Sequence, residues 1–137
     1  MIRYKKYQMT GEKSPLKGLW YARPVIEETF NAEALAKHMA NHNTPYSAGV
    51  IKGVLADMIS CIKELILDGK NVKLDDLAIF SVGIVSKKGA TSAAAFTLAD
   101  NVKGLKLRAR ATGELSNAQI NLEGQLLSLI HISEPTR

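Results

Sequence analysis

Val50-Ile51-Lys52-Gly53-Val54-Leu55-Ala56-Asp57-Met58-Ile59-Ser60-Cys61-Ile62-Lys63-Glu64-Leu65-Ile66-Leu67-Asp68-Gly69 is the stretch on which the fold turns. Its apolar side chains return at steps of three and four, the spacing that collects them on one face of an α-helix. Upstream, Thr44 can cap such a helix and Pro45 suits its first position, where the missing N–H costs nothing. Downstream, Gly69 suits the left-handed residue that closes it. The apolar stripe is wide and about six turns long, more surface than one small chain can easily cover. A second copy of the chain is therefore expected to cover it.

Before this helix, Asn31 is a good N-cap and Phe30 with Leu35 has the spacing of a hydrophobic staple. Ala32, Leu35, Ala36, Met39 and Ala40 share one face, and Asn41-His42-Asn43 ends the element. Earlier still, residues 2–9 and Leu19–Val25 read as two strands around the turn chemistry of Gly11-Glu12-Lys13-Ser14-Pro15, a plausible hairpin. Pro24 belongs at an edge or a strand end, since it has no N–H for a ladder.

After the long helix come Val72 and Leu74, a turn at Asp75-Asp76, and a strand through Ile79-Phe80-Ser81-Val82-Gly83-Ile84-Val85. Lys87–Asp100 is small and polar and reads as a loop or flexible arm. Val102–Ala111 is a further strand, in which Leu105, Leu107 and Ala109 alternate with Lys106, Arg108 and Arg110. Period two places the three cations on one face and the apolar residues on the other. Residues 113–125 suggest a short, weak helix.

Length fits one domain with extensions: 137 residues, 46% hydrophobic and 23% charged is globular composition. No apolar run reaches a membrane span, no secretory signal follows the basic N-terminus, and the single cysteine excludes an intrachain disulfide. A cytoplasmic location is expected, weighted by redox usage. The net charge of +5 is unevenly spread. Residues 1–24 hold Arg3, Lys5, Lys6, Lys13, Lys17 and Arg23 against Glu12. Residues 87–110 hold Lys87, Lys88, Lys103, Lys106, Arg108 and Arg110 against Asp100. The segments between and after are net acidic. Such segregation suits a polyanion, although solvated strand faces would show it too.

Gly69-Lys70-Asn71-Val72-Lys73-Leu74-Asp75-Asp76-Leu77-Ala78-Ile79-Phe80-Ser81-Val82, taken with the order helix, long helix, strand, turn, strand, basic arm, basic strand and short helix, resembles the HU/integration-host-factor family over residues 31 to about 120. Val72, Leu74, Phe80 and Val82 fall in its register. Thr112-Gly113-Glu114-Leu115 is similar to its Pro-Gly-x-x-Leu entry to the last helix, and Tyr21-Ala22-Arg23-Pro24-Val25 resembles a subgroup with an added N-terminal segment. The resemblance implies an α+β, HU-like fold: a helical dimer core with a β-arm, here with an extra N-terminal β-hairpin. It implies a non-enzymatic, histone-like, architectural protein of the nucleoid, a homodimer that binds double-stranded DNA through basic β-arms with little base reading. Lys87 and Lys88 would start the arm; Lys103, Lys106, Arg108 and Arg110 would return along it; Lys70 and Lys73 would meet phosphates from the body. Phe80 would be core at the arm's base. The alternative is an HU-like dimer that holds another protein and binds little DNA. Two departures bear on this. Residues 83–111 contain no proline to serve as an intercalating wedge, and Asp75 and Asp76 would repel phosphate if they faced it.

The expected organisation is an N-terminal β extension over residues 1–30, an HU-like domain over 31–126, and a tail, 127–137, that looks like a translated sequencing-library adapter, so that the native C-terminus is missing. No cofactor, metal, small-molecule substrate or membrane partner is expected. His38 and His42 have a metal-compatible spacing, but no further ligand lies near, and ordinary surface histidines are the simpler reading. Cys61 beside the stripe reads as a small core residue. Gly49 and Gly53 are helix-packing candidates. The adjacent carboxylates Glu27-Glu28 and Asp75-Asp76 do not converge, and no catalytic set is found. Trp20 with Tyr21 is either a partner-facing patch or sheet packing.

Overall fold

The computed structural model describes residues 1–128. It is an α+β structure that divides into two compact units, Ala32–Ile120 and Met1–Asn31 together with the chain from Asn121 on. From sequence the first of these is expected to run to 126; in the structure residues 121–128 group with the N-terminal strands. Of the expected adapter segment 127–137, all but Leu127 and Ser128 lies outside the described residues.

In the first unit, helix α1 spans Ala32–Ala40 and helix α2 spans Ala48–Leu67. The helix α2 begins three residues later than Thr44 and Pro45 suggest. The reason is a competition between caps. Ser47 is extended (φ −72°, ψ 159°) and its hydroxyl accepts the Val50 N–H at 3.2 Å, which satisfies one of the first-turn donors. Thr44 instead accepts the Tyr46 N–H at 3.4 Å, a local turn that keeps Pro45 outside the helix. At the other end Gly69 takes φ 79°, the left-handed closure that glycine adopts without strain.

Strands β3 (Val72–Leu74), β4 (Ala78–Ser86) and β5 (Val102–Ala111) form an antiparallel sheet in that order. Two elements were not anticipated in their final form. Leu98–Asn101 is a short helix, α3, between β4 and β5, where a loop or flexible arm is expected from composition. Residues 113–125 resolve into a tight 3₁₀ turn, Gly113–Leu115, and helix α4, Asn117–Glu123. Gly113 has φ 54°, and a side chain on it would lie 2.6 Å from the Asp75 carbonyl and strike the Asp76 carboxylate. Asp76 Oδ1 accepts the Glu114 N–H at 3.3 Å, and the Thr112 hydroxyl donates to the Leu74 carbonyl at 3.1 Å. The acidic turn therefore ties the foot of the sheet to the 3₁₀ turn that precedes the last helix.

In the other unit, β1 (Ile2–Gln8) pairs antiparallel with β2 (Trp20–Pro24) and parallel with β6 (Leu126–Ser128), giving the order β2-β1-β6. Pro24 ends an edge strand, as its missing N–H requires.

The core of the single chain is thin. Among the described residues the buried apolar side chains are Ala36, Ile51 and Ile66. Val50, Val54, Ile59 and Leu67 on α2 are 53%, 62%, 59% and 68% exposed. Cys61, expected in the core, is exposed. The α2 stripe has a narrow covered edge, against α1 and the sheet, and a broad open one.

Candidate nucleic-acid interface

The register of β4 against β5 decides which side chains share a face. Ile79 lies opposite Arg110, Ser81 opposite Arg108, and Gly83 opposite Lys106, while Lys73 of β3 lies opposite Ile79. Alternation then puts Lys73, Lys106, Arg108 and Arg110 on one face. The next row on that face is Gly83, which is buried because Arg108 lies over it: a methyl group added there would strike the Arg108 guanidinium nitrogen Nε. Glycine thus allows the Arg108 side chain to lie flat along the sheet. This close approach was not legible from sequence, since Gly83 reads only as a gap in a strand.

The opposite face carries Phe80, Val82 and Ile84 against Ala109, Leu107 and Leu105. Of these, Phe80, Val82, Leu105 and Leu107, together with Met58, Ile62 and Ile66 of α2 and Leu74 of β3, line an apolar cavity of about 470 Å³. Leu105 and Leu107 are 67% and 63% exposed.

Lys87 and Lys88, at the connection between β4 and β5, sit beside a buried side chain. Asn101 is 8% exposed; its amide donates to the Lys88 carbonyl at 2.7 Å and its Oδ1 accepts the Thr97 N–H at 2.9 Å. The Lys87 N–H donates to the Asn101 carbonyl at 3.0 Å, and Lys87 Nζ donates to the Ala99 carbonyl at 3.0 Å. Thr97 caps α3 by accepting the Asp100 N–H at 3.2 Å. The signal for this knot stood in the sequence as Thr97-Leu98-Ala99-Asp100, a capping pattern, but the small residues around it suggested an unstructured loop. The register skips Lys103 at a bulge between Val85 and Ser86, which takes it out of the regular alternation.

Lys70 stands apart, because its ammonium is paired with Asp68. The other ion pairs among the described residues are Arg3–Glu27 at 2.7 Å and Glu33–Lys37 at 3.8 Å. Among the described residues no acidic side chain pairs with Lys73, Lys87, Lys88, Lys103, Lys106, Arg108 or Arg110. Asp76, the feared repeller, is engaged at the 3₁₀ turn. His38 and His42 face each other, Nε2 to Nε2, at 3.1 Å, and no group of three or more metal-ligating side chains forms among the described residues. No described helix is long and apolar enough to cross a membrane.

A helix pair with an open apolar stripe, packed on a three-stranded antiparallel sheet with one cationic face, makes a small α+β protein. The chain belongs to the HU-HIG family, described as an HU domain fused to a wHTH, Ig or glycine-rich motif, whose model matches residues 1–122. A solved structure from Bacteroides vulgatus ATCC 8482, assigned as a bacterial DNA-binding protein, is similar in fold, with a TM-score of 0.67 and 11% identity over 93% of this chain and 48% of that one. The present chain thus spans about half the length of that protein. The Anabaena HU–DNA cocrystal structure aligns with a TM-score of 0.45 and 14% identity, over 69% of this chain and 99% of that one. No curated protein sequence matches the chain.

Proposed function

We propose that this protein is a non-enzymatic, architectural DNA-binding protein that acts as a homodimer on duplex DNA, largely without regard to sequence. The observation that carries the reading is the cationic face of the β3–β4–β5 sheet: Lys73, Lys106, Arg108 and Arg110 share it and no described carboxylate neutralises them. Same-face residues on a strand recur at about 6.6 Å, close to two base-pair rises of about 3.4 Å each, so successive cations can meet every second phosphate along one backbone. Family membership and the fold similarity to a DNA-binding protein support the same assignment. Lys87, Lys88 and Lys103 extend the contact toward the arm tip. Lys70, held by Asp68, contributes less than its position suggests.

The other face supports the homodimer reading. An apolar groove of this kind, running from α2 to Leu105 and Leu107, costs roughly 25 cal/mol per Å² while it stays wet. A second copy presents the same groove and the same stripe, a self-complementary surface that a twofold axis can close. Two copies would aim two arms at one duplex. Without a proline in residues 83–111, bending is expected to be modest, and binding to depend on phosphate contacts and salt. On this reading the protein acts on the DNA of a bacterial nucleoid.

The test is an electrophoretic shift of a random duplex at low and moderate salt, with sedimentation of the free protein. Retardation that weakens steeply with salt, from a species of twice the chain mass, is the expected result. No retardation at micromolar protein would remove the DNA-binding assignment and leave the HU-like dimer as a protein-holding module.

A further inference from the structure

We propose that the β2–β1–β6 sheet is a second nucleic-acid surface, specific for unpaired strands, with Trp20 and Tyr4 as stacking rings and Lys6 as the phosphate contact between them. The inference stands apart from the duplex-binding reading of the arm. It starts from a difference between the two faces of this small sheet.

One face has satisfied most of its own groups, Lys5 apart. Tyr7 lies against Tyr21 with ring centroids 6.1 Å apart, Arg23 sits over the Tyr7 ring at 5.1 Å, and Arg3 is paired with Glu27. The register places Tyr4, Lys6 and Gln8 on the other face, opposite Pro24, Ala22 and Trp20. There Gln8 donates to the Gly18 carbonyl at 3.1 Å, but the Trp20 ring and the Lys6 ammonium are unspent. Trp20 is 63% exposed, and Lys6 is in no ion pair among the described residues. Ala22 is too small to fill the space beside Lys6, which leaves a shallow depression lined by Tyr4, Lys6, Trp20, Tyr21 and Ala22. Lys13 and Lys17, in the connection between the two strands, add charge at the Trp20 end.

The chemistry of the occupant follows from that set. Tyr4 and Trp20 stand four register positions apart, about 13 Å, with a cation between them. An acidic peptide would use Lys6 but has no flat groups for two separated rings. A duplex offers phosphates but keeps its bases stacked on one another. An unpaired strand offers both, and base–aromatic stacking beside a positive groove is how sequence-tolerant single-strand binders hold it.

Trp20 is the single tryptophan, so its emission reports on this face alone. In the full chain, titration with a dT20 oligonucleotide should quench Trp20 saturably, and less so as salt rises. Labelled-oligonucleotide anisotropy should show that Tyr4→Ala with Lys6→Ala weakens dT20 binding about tenfold or more, while binding of a 20-bp duplex stays within about twofold. Arg108→Ala with Arg110→Ala should do the reverse. Because Tyr4 is half-buried, Lys6→Glu serves as a second variant with an exposed, fold-neutral position. Unchanged Trp20 emission in dT20, or unchanged dT20 affinity in both variants, overturns the proposal. Equal quenching by poly-glutamate overturns it too, since the face would then be a plain anion surface. Loss of duplex binding in the parent chain with dT20 quenching intact would sink the arm reading and leave this one standing.

Discussion

The two faces of the β3–β4–β5 sheet are both open to solvent in one chain, yet water treats them oppositely. On one, Lys73, Lys106, Arg108 and Arg110 are solvated at no cost and are in no ion pair among the described residues. On the other, Val82, Ile84, Leu105 and Leu107 continue the α2 stripe and are 39%, 61%, 67% and 63% exposed, an arrangement that water disfavours. Exposure therefore means different things on the two sides of one strand. The apolar side asks for a partner whether or not DNA is present; the cationic side asks for one only through its unspent charge. Assembly and binding should accordingly be separable by mutation.

The largest expected effect is on assembly. Leu107→Asp places a carboxylate in the apolar groove, at a position 63% exposed in the single chain and so dispensable to its own fold. Two copies of the change should weaken self-association by more than about 100-fold, several kcal/mol per dimer. Sedimentation equilibrium at micromolar concentration checks this; a dimer of undiminished stability would move the interface elsewhere. On the opposite face, Arg108→Ala with Arg110→Ala removes four cations per dimer. The slope of log affinity against log salt should fall by about 3–4, equally for unrelated duplex sequences, while the sedimentation profile stays that of a dimer. If assembly and binding instead fail together in both variants, the separation of the faces is wrong.

Much of this division could be read from the chain. The alternation of Leu105-Lys106-Leu107-Arg108-Ala109-Arg110 assigns faces because a strand has period two, and the α2 stripe assigns its own open side because a helix has period near four. What could not be read depends on side chains meeting across the chain. Ser47 outcompetes Thr44 as a cap by local geometry that both residues could have offered. Gly83 is occupied by the diagonal Arg108, a contact set by register. The pairing of Lys70 with Asp68 across the Gly69 turn is a matter of rotamers, so that cation stands out of line with the rest. The exposure of Cys61 shows the limit of stripe reading in one chain, since a residue at the stripe's margin is covered only by what packs there. The parallel strand β6 had no signal at all, as three residues carry too little pattern.

Asn101 offers a smaller test, at the place where the two faces end. It is buried, and its amide holds Lys88 and Thr97 by hydrogen bonds of 2.7 and 2.9 Å. Asn101→Ala leaves the Lys88 carbonyl and the Thr97 N–H without these partners, a cost of about 1–3 kcal/mol confined to the tip. Hydrogen exchange at the Thr97 amide should quicken by about tenfold or more, in proportion to that local loss. Dimerisation should not change, because Asn101 is not among the residues that line the apolar groove. Duplex affinity should fall only about two- to fivefold, the cost of ordering the tip on binding. An unchanged exchange rate would mean that the tip is held by something other than Asn101.

The smallest difference separates two lysines three residues apart. Lys73 lies on the cationic face opposite Ile79 and beside the Arg110 row; Lys70 is tied to Asp68 at the helix exit. An exposed pair of this kind is worth at most about 1 kcal/mol, so Lys70 is not locked, but a phosphate must compete with Asp68 for it. Lys73→Ala should weaken duplex binding about threefold and lower the salt slope by about one unit per copy, whereas Lys70→Ala should change affinity by less than about twofold. Asp68→Asn then becomes the informative variant: freed of its carboxylate, Lys70 should join the phosphate contacts, and duplex affinity should rise by roughly the factor that Lys73→Ala removes. Equal losses from Lys70→Ala and Lys73→Ala would show that the Asp68 pair does not shield Lys70, and that proximity to the duplex rather than membership of the sheet face selects the cations that bind.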